Sequence, residues 1–131
     1  MIKTLVLDID ETLLFATPDK SLLTKIDKKI SFRLKDNRLN LSYLYVSYRP
    51  YVLEMLKILS KDYEIILFTT GTAEYAWKVA QSLQKGEKYF DHVLSVNHCL
   101  YAREKNMYIK DLKILEMGRN LKDILIVDNN I

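Results

Sequence analysis

The chain has 131 residues, of which 49% are apolar and 28% charged, with three glycines and two prolines. That length fits one domain over residues 1–131, and the apolar fraction supports a real core and excludes a disordered or low-complexity chain. The net charge of +3 is too small to imply nucleic acid, no apolar run approaches the ~20 residues of a membrane span, and the lone Cys99 allows no internal disulfide.

Leu5, Val6 and Leu7 make a short continuous apolar run, which predicts a parallel strand buried on both faces. Asp8, Asp10 and Thr12 follow at its carboxyl end, where open α/β sheets place their ligand sites. Two carboxylates this close need a cation between them or a retained proton. The same letters also suit an acidic turn and a helix cap, so this stretch alone leaves both readings open. It also stands where the apolar core of a secretory leader would be, so no leader is expected.

Residues 16–48 read as an insert. Ile30, Phe32 and Leu34 alternate with polar neighbours, Lys35-Asp36-Asn37-Arg38 suits a turn, and Leu39 to Tyr48 suits the return strand of a β-hairpin. Residues 19–38 carry seven Lys or Arg against three Asp. Such a stretch suits a phosphorylated or acidic substrate, although a solvated face is the simpler explanation. Tyr43, Tyr45, Tyr48 and Tyr51 read as half-buried strand residues rather than a recognition surface.

Pro50 suits the first position of a helix carrying Val52, Leu53, Leu56 and Leu59. Residues 64–69 predict a second buried strand, ending at Thr69-Thr70-Gly71-Thr72. A helix from about Ala73 to Lys85 follows, with Tyr75, Ala76, Val79, Ala80 and Leu83 inward and Trp77 packing. Residues 90–101 suggest a short strand and an irregular turn, with His92 and His98 as surface or loop residues rather than catalytic ones and Cys99 a small apolar residue rather than a nucleophile. Asp111 to Met117 reads as a short helix stopped near Gly118. Residues 122–128 read as a third buried strand ending in Asp128, Asn129 and Asn130. The alternation predicts an α/β fold with a parallel sheet and helices on both faces. Three strand ends then converge on one site, whose oxygen donors favour a hard cation such as Mg²⁺.

Asp8-x-Asp10-x-Thr12, Thr69, Lys110 and Asp128-Asn129 resemble the four motifs of the haloacid dehalogenase-like phosphatases, which have a Rossmann-like sheet. The strings DIDETLL, YRP, ILFTTGTAEYA, YIKDL and ILIVDNN are similar to one branch, the NLI-interacting-factor-like or small C-terminal-domain protein phosphatases. The resemblance implies a Mg²⁺-dependent phosphatase of phosphoserine or phosphothreonine in proteins, among them RNA polymerase II C-terminal-domain-like substrates. Asp8 would be the nucleophile forming an aspartyl-phosphate, Asp10 the general acid and base, and Thr12 would orient Asp10 and the loop. Thr69 and Lys110 would hold the phosphoryl group. Asp8, the Asp10 carbonyl and Asn129 would contact Mg²⁺, with Asp128 in its outer shell.

Four departures stand out. Family members continue with a helix and a further strand, so the fold is expected to be truncated after Ile131. Val96 and Phe15 stand where the branch often has Arg and His, and Thr72 stands where members that bind the RNA polymerase II tail carry an apolar residue. The alternative reading is an inactive binding protein like the related mitochondrial import subunit; a small-metabolite phosphatase is less favoured. The expected setting is intracellular, nucleus or cytoplasm, as a monomer with a phosphoprotein segment as partner, and with neither nucleic acid nor membrane bound directly.

Overall fold

The computed structural model describes residues 2–34 and 37–130. In chain order its strands are β1 (Lys3–Leu7), β2 (Leu14–Thr17), β3 (Lys28–Leu34), β4 (Asn37–Tyr48), β5 (Tyr63–Phe68), β6 (His92–Leu94), β7 (Leu100–Ala102), β8 (Met107–Ile109) and β9 (Ile124–Val127). Its helices are α1 (Val52–Leu59) and α2 (Ala73–Gln84). No helix among the described residues is long and apolar enough to cross a membrane.

The main sheet runs β6-β5-β1-β9, all parallel, with Leu5 in register with Ile65 on one side and Leu125 on the other. β1 has a partner on both edges, and Leu5, Val6 and Leu7 are buried as their apolar run implies. Alternation sends Leu5, Leu7, Ile65 and Leu67 to one face, where they meet Val52 and Leu56 of α1 and Val79, Ala80 and Leu83 of α2. Val6, Ile66 and Phe68 face the other way, against Leu115, Leu112 and Ile126.

Strand order explains this division. The chain steps from β1 to β5 to β6 in one direction, so two right-handed crossovers put both α-helices on one face. The return to β9 crosses the opposite face through the β7–β8 hairpin and short 3₁₀ turns. The helix expected over Asp111–Met117 is one such turn, Leu112–Leu115. The Asp111 side chain caps it by accepting from the Lys113 N–H at 3.0 Å, and Gly118, at φ +75°, follows.

The insert holds the expected antiparallel pair β3–β4, although the turn expected at Lys35-Asp36-Asn37-Arg38 lies partly outside the described residues. It also gains a third strand. β2 pairs with the far end of β4, Leu14 opposite Tyr48, which tethers the insert to the loop after β1.

Further expectations shift. Tyr51, expected as a half-buried strand residue, lies beyond the end of β4 and is 81% exposed. Pro50 is not the first helical residue: Arg49 is anchored to the loop after β1, so the chain turns through Tyr51, a left-handed N-cap at φ +68°, and α1 begins at Val52. Trp77 is 54% exposed rather than packed, because the buried stripe of α2 passes on the other side. β9 is not a strand buried on both faces: it lies at the sheet edge, and Leu125 and Val127 are 64% and 42% exposed. They line an apolar groove of about 620 Å³ with Leu5, Leu7, Val52 and Met55.

At the opposite end of the sheet from the Asp8 loop, Glu64 accepts from Arg119 Nε and Nη2 at 2.6 and 2.7 Å and from the Thr4 hydroxyl at 2.7 Å. The Arg119 guanidinium holds the Glu64 carboxyl down to about 2. A folded-state value below the unfolded one contributes stability that is complete above the ordinary value of 4.5 and disappears as the pH falls toward 2. Glu64→Gln should therefore lower stability by about 1 kcal/mol at pH 7, with the gap to the parent closing between pH 4.5 and 2. Urea denaturation across that range checks it, and an equal gap at pH 7 and pH 3 contradicts it.

Candidate functional site

The site begins where β1 stops. Asp8 still bonds across the sheet, its N–H donating to the Val127 carbonyl at 3.0 Å. The chain then folds over buried Ile9, whose carbonyl accepts from Thr12 and Leu13, while the Glu11 N–H donates to Leu14 at 2.7 Å. Glu11 sits at φ +62°, a left-handed conformation that a non-glycine residue adopts only when its surroundings hold it there. Arg49 does the holding: Nε donates to the Thr12 carbonyl at 2.6 Å and Nη2 to the Glu11 carbonyl at 3.1 Å.

Thr12 acts on different partners from those expected. Its hydroxyl donates to Asp8 Oδ2 and accepts from the Asn129 N–H, both at 3.2 Å, so it joins the ends of β1 and β9. Asp10 is held instead by Tyr75, whose hydroxyl donates to Asp10 Oδ1 at 2.6 Å. Burial first, and that carboxylate next, push the Tyr75 phenol well above its ordinary value, so it is a donor at neutral pH. Tyr75 and Arg49 are the positioning groups that sequence reasoning missed. Tyr75 passed for one more apolar position on a helix, and Arg49 for part of a family string.

Lys110, just beyond β8, is the cation of the site. Its Nζ donates to Asp8 Oδ1 at 2.8 Å and to Asp128 Oδ2 at 2.6 Å, and its side chain is only 9% exposed. The other Asp128 oxygen accepts from the Asn130 N–H at 2.9 Å. Burial raises the Asp8 carboxyl above its ordinary value despite Lys110. Burial pushes Asp128 up as well, yet Lys110 and the Asn130 N–H together hold it below the usual carboxylate range.

Asn129 points one terminal atom of its amide at Asp8 Oδ2, 2.9 Å away, and at the Asp10 carbonyl oxygen, 3.2 Å away. As nitrogen, that atom donates to both. As oxygen, it would stand from each of the other two at close to the spacing of adjacent ligands on an octahedral cation, about 2.9 Å for Mg²⁺ bonds of about 2.0–2.1 Å. Hard oxygen donors, one of them an anionic carboxylate, fit Mg²⁺ in number and kind.

Asp8, Asp10, Thr70, Lys110, Asp128 and Asn129 line one cleft of about 470 Å³, whose apolar wall includes Met107, Tyr108, Ile109 and Leu112. Thr69 does not line the cleft: it is 1% exposed, its hydroxyl accepting from the Gly71 N–H at 3.0 Å, and its neighbour Thr70 faces the cleft instead. His92 and His98 stand apart from the cleft, the first near Glu64 and the second accepting from the Ser95 N–H. Cys99 has its thiol pushed up by burial, which leaves little thiolate.

Residues 3–131 match the family described as NLI interacting factor-like phosphatase. A probable C-terminal domain small phosphatase of Dictyostelium discoideum is 33% identical, covering 98% of this chain and 39% of the relative. CTD small phosphatase-like protein 1 of Caenorhabditis elegans is 36% identical, covering 98% of this chain and 24% of the relative. The structure of the fission yeast RNA polymerase II CTD phosphatase Fcp1 bound to beryllium fluoride is similar with a TM-score of 0.75 and 25% identity, covering 98% of this chain and 37% of that one. The chain thus spans well under half the length of the proteins it matches.

Removing Lys110 strands two buried carboxylates. Lys110→Met should destabilise the fold by about 3 kcal/mol in metal-free buffer, and adding Asp8→Asn should recover part of that loss. Urea denaturation of the single and double variants measures both. A loss below about 0.5 kcal/mol would show that the ion pairs carry no net weight.

Proposed function

The chain belongs to the NLI interacting factor-like phosphatases, and on that premise we propose that it hydrolyses phosphoserine or phosphothreonine in a protein substrate through Asp8, with Mg²⁺ bound. The observation that carries the reading is Lys110 held between Asp8 and Asp128, beside the Asp8 carboxylate, the Asp10 carbonyl and the Asn129 amide, in one open cleft.

A carboxylate attacks an anionic phosphate only when the charge between them is offset. Lys110 is placed to do this from within hydrogen-bond distance of Asp8 Oδ1. Asp8 Oδ2, the Asp10 carbonyl and Asn129 would hold Mg²⁺, with Asp128 nearby, and the ion supplies further Lewis-acid charge at the phosphoryl oxygens. Asp8 forms a bond to phosphorus as the bond to the serine oxygen breaks, and Asp10 gives that oxygen its proton. Water then attacks the aspartyl-phosphate, Asp10 takes its proton, and Asp8 is restored with release of inorganic phosphate.

Thr69 would meet a phosphoryl oxygen only after its hydroxyl proton turns to the cleft floor, which its acceptor bond from Gly71 permits. The insert is a three-stranded sheet rather than a cap domain, so a protein segment has access. The relatives' names point to the RNA polymerase II CTD as a substrate to test first.

The experiment is turnover of a phosphoserine repeat peptide with Mg²⁺, with EDTA, and by Asp8→Asn. Activity should need Mg²⁺ and fall about 10³-fold or more in Asp8→Asn. Undiminished activity in EDTA or in Asp8→Asn would overturn the mechanism. A folded chain that binds the phosphopeptide without turning it over would favour the binding-protein alternative.

A further inference from the structure

We propose that Tyr75 is a positioning residue for the leaving-group proton transfer: its hydroxyl fixes Asp10 so that the acid proton is carried on Oδ2 and delivered to the departing serine oxygen. The proposal rests on the phosphatase reading above and adds a residue to it.

The geometry is specific. Tyr75 donates to Asp10 Oδ1 at 2.6 Å, across 65 residues of sequence. Its phenol has one proton to give, and Oδ1 receives it. A protonated Asp10 therefore carries its own proton on the other oxygen, Oδ2. With Oδ1 tethered, the carboxyl group loses most of its freedom to rotate, and a fixed acid transfers its proton more readily than a mobile one.

The ring is fixed in turn from three sides. Thr72 caps α2 through its own hydroxyl, which accepts from the Tyr75 N–H at 3.2 Å and sets where the ring leaves the helix. Gly71 lets the ring pass: a Cβ there would stand 3.1 Å from Tyr75 Cδ2, tighter than most real contacts. From the insert, Phe32 of β3 lies against the ring, centroids 6.4 Å apart, with Lys78 Nζ 4.8 Å over the Phe32 ring. Lys78 also bonds the Ser31 carbonyl and pairs with Glu74 at 3.0 Å, which ties the insert to α2. The insert thus supports the acid through two aromatic rings.

The test separates leaving groups. A serine alkoxide needs a proton as it departs, whereas p-nitrophenolate leaves as a stable anion. Tyr75→Phe removes one oxygen and leaves the ring in place. It should lower kcat/KM, which reports phosphoryl transfer to Asp8 apart from the later hydrolysis that both substrates share, about tenfold or more on a phosphoserine peptide and less than about threefold on p-nitrophenyl phosphate. In an Asp10→Asn background the same substitution should cost nothing further on the peptide, because Tyr75 acts through Asp10. Equal losses on both substrates, additive losses with Asp10→Asn, or no loss in the single variant would overturn the proposal. Thermal melting of Tyr75→Phe guards against a folding defect, which would reduce active enzyme equally for both substrates. A parent chain that turns over neither substrate sinks the phosphatase reading and this inference with it.

Discussion

One ammonium group between two carboxylates organises this molecule. Asp8 and Asp128 end neighbouring parallel strands, so the sheet itself brings their charges together. Left alone they would repel, and the pairing of β9 with β1 would be strained at the end where the chemistry lies. Lys110 resolves this with bonds of 2.8 and 2.6 Å. It can do so because the return from β6 to β9 crosses the face of the sheet opposite α1 and α2 and turns through β7–β8, which ends beside the cleft. The topology therefore determines where the cation stands.

Around that centre the polar contacts fall into two groups. Thr12, Asn129 and Lys110 touch Asp8 and shape the pocket for charge. Arg49 and Tyr75 act one step further out, the first on the carbonyls of the loop after β1 and the second on Asp10. Neither needs to meet a substrate to matter. A strained Glu11 at φ +62° persists because Arg49 holds its carbonyl and that of Thr12. Local strain retained by long-range contacts is common where side chains must converge from different strands.

Much of the fold was legible in the chain. Buried parallel strands are short apolar runs, and LVL, IILF and ILIV all became strands of one sheet ending in polar residues. The hidden parts depend on partners far away in sequence. β2 looks like loop until β4 is beside it. The exposure of Leu125 and Val127 follows from strand order, which hydrophobicity does not encode. Lys110 has the letters of a surface lysine, and only the two carboxylates make it a buried one. Tyr75 fitted a helical stripe so well that its hydroxyl went unread. Resemblance picks out the candidate residues as a set, while the contacts that position them depend on the fold.

The most direct measurement is chemical trapping of Asp8. A reaction on phosphoserine peptide is stopped by acid in mid-turnover, treated with borohydride, and read by peptide mass spectrometry. An aspartyl-phosphate is reduced where a free carboxylate is not, so the account predicts homoserine at position 8, formed only with substrate present. Steady turnover with Asp8 unaltered, or reduction at a different carboxylate, would contradict it.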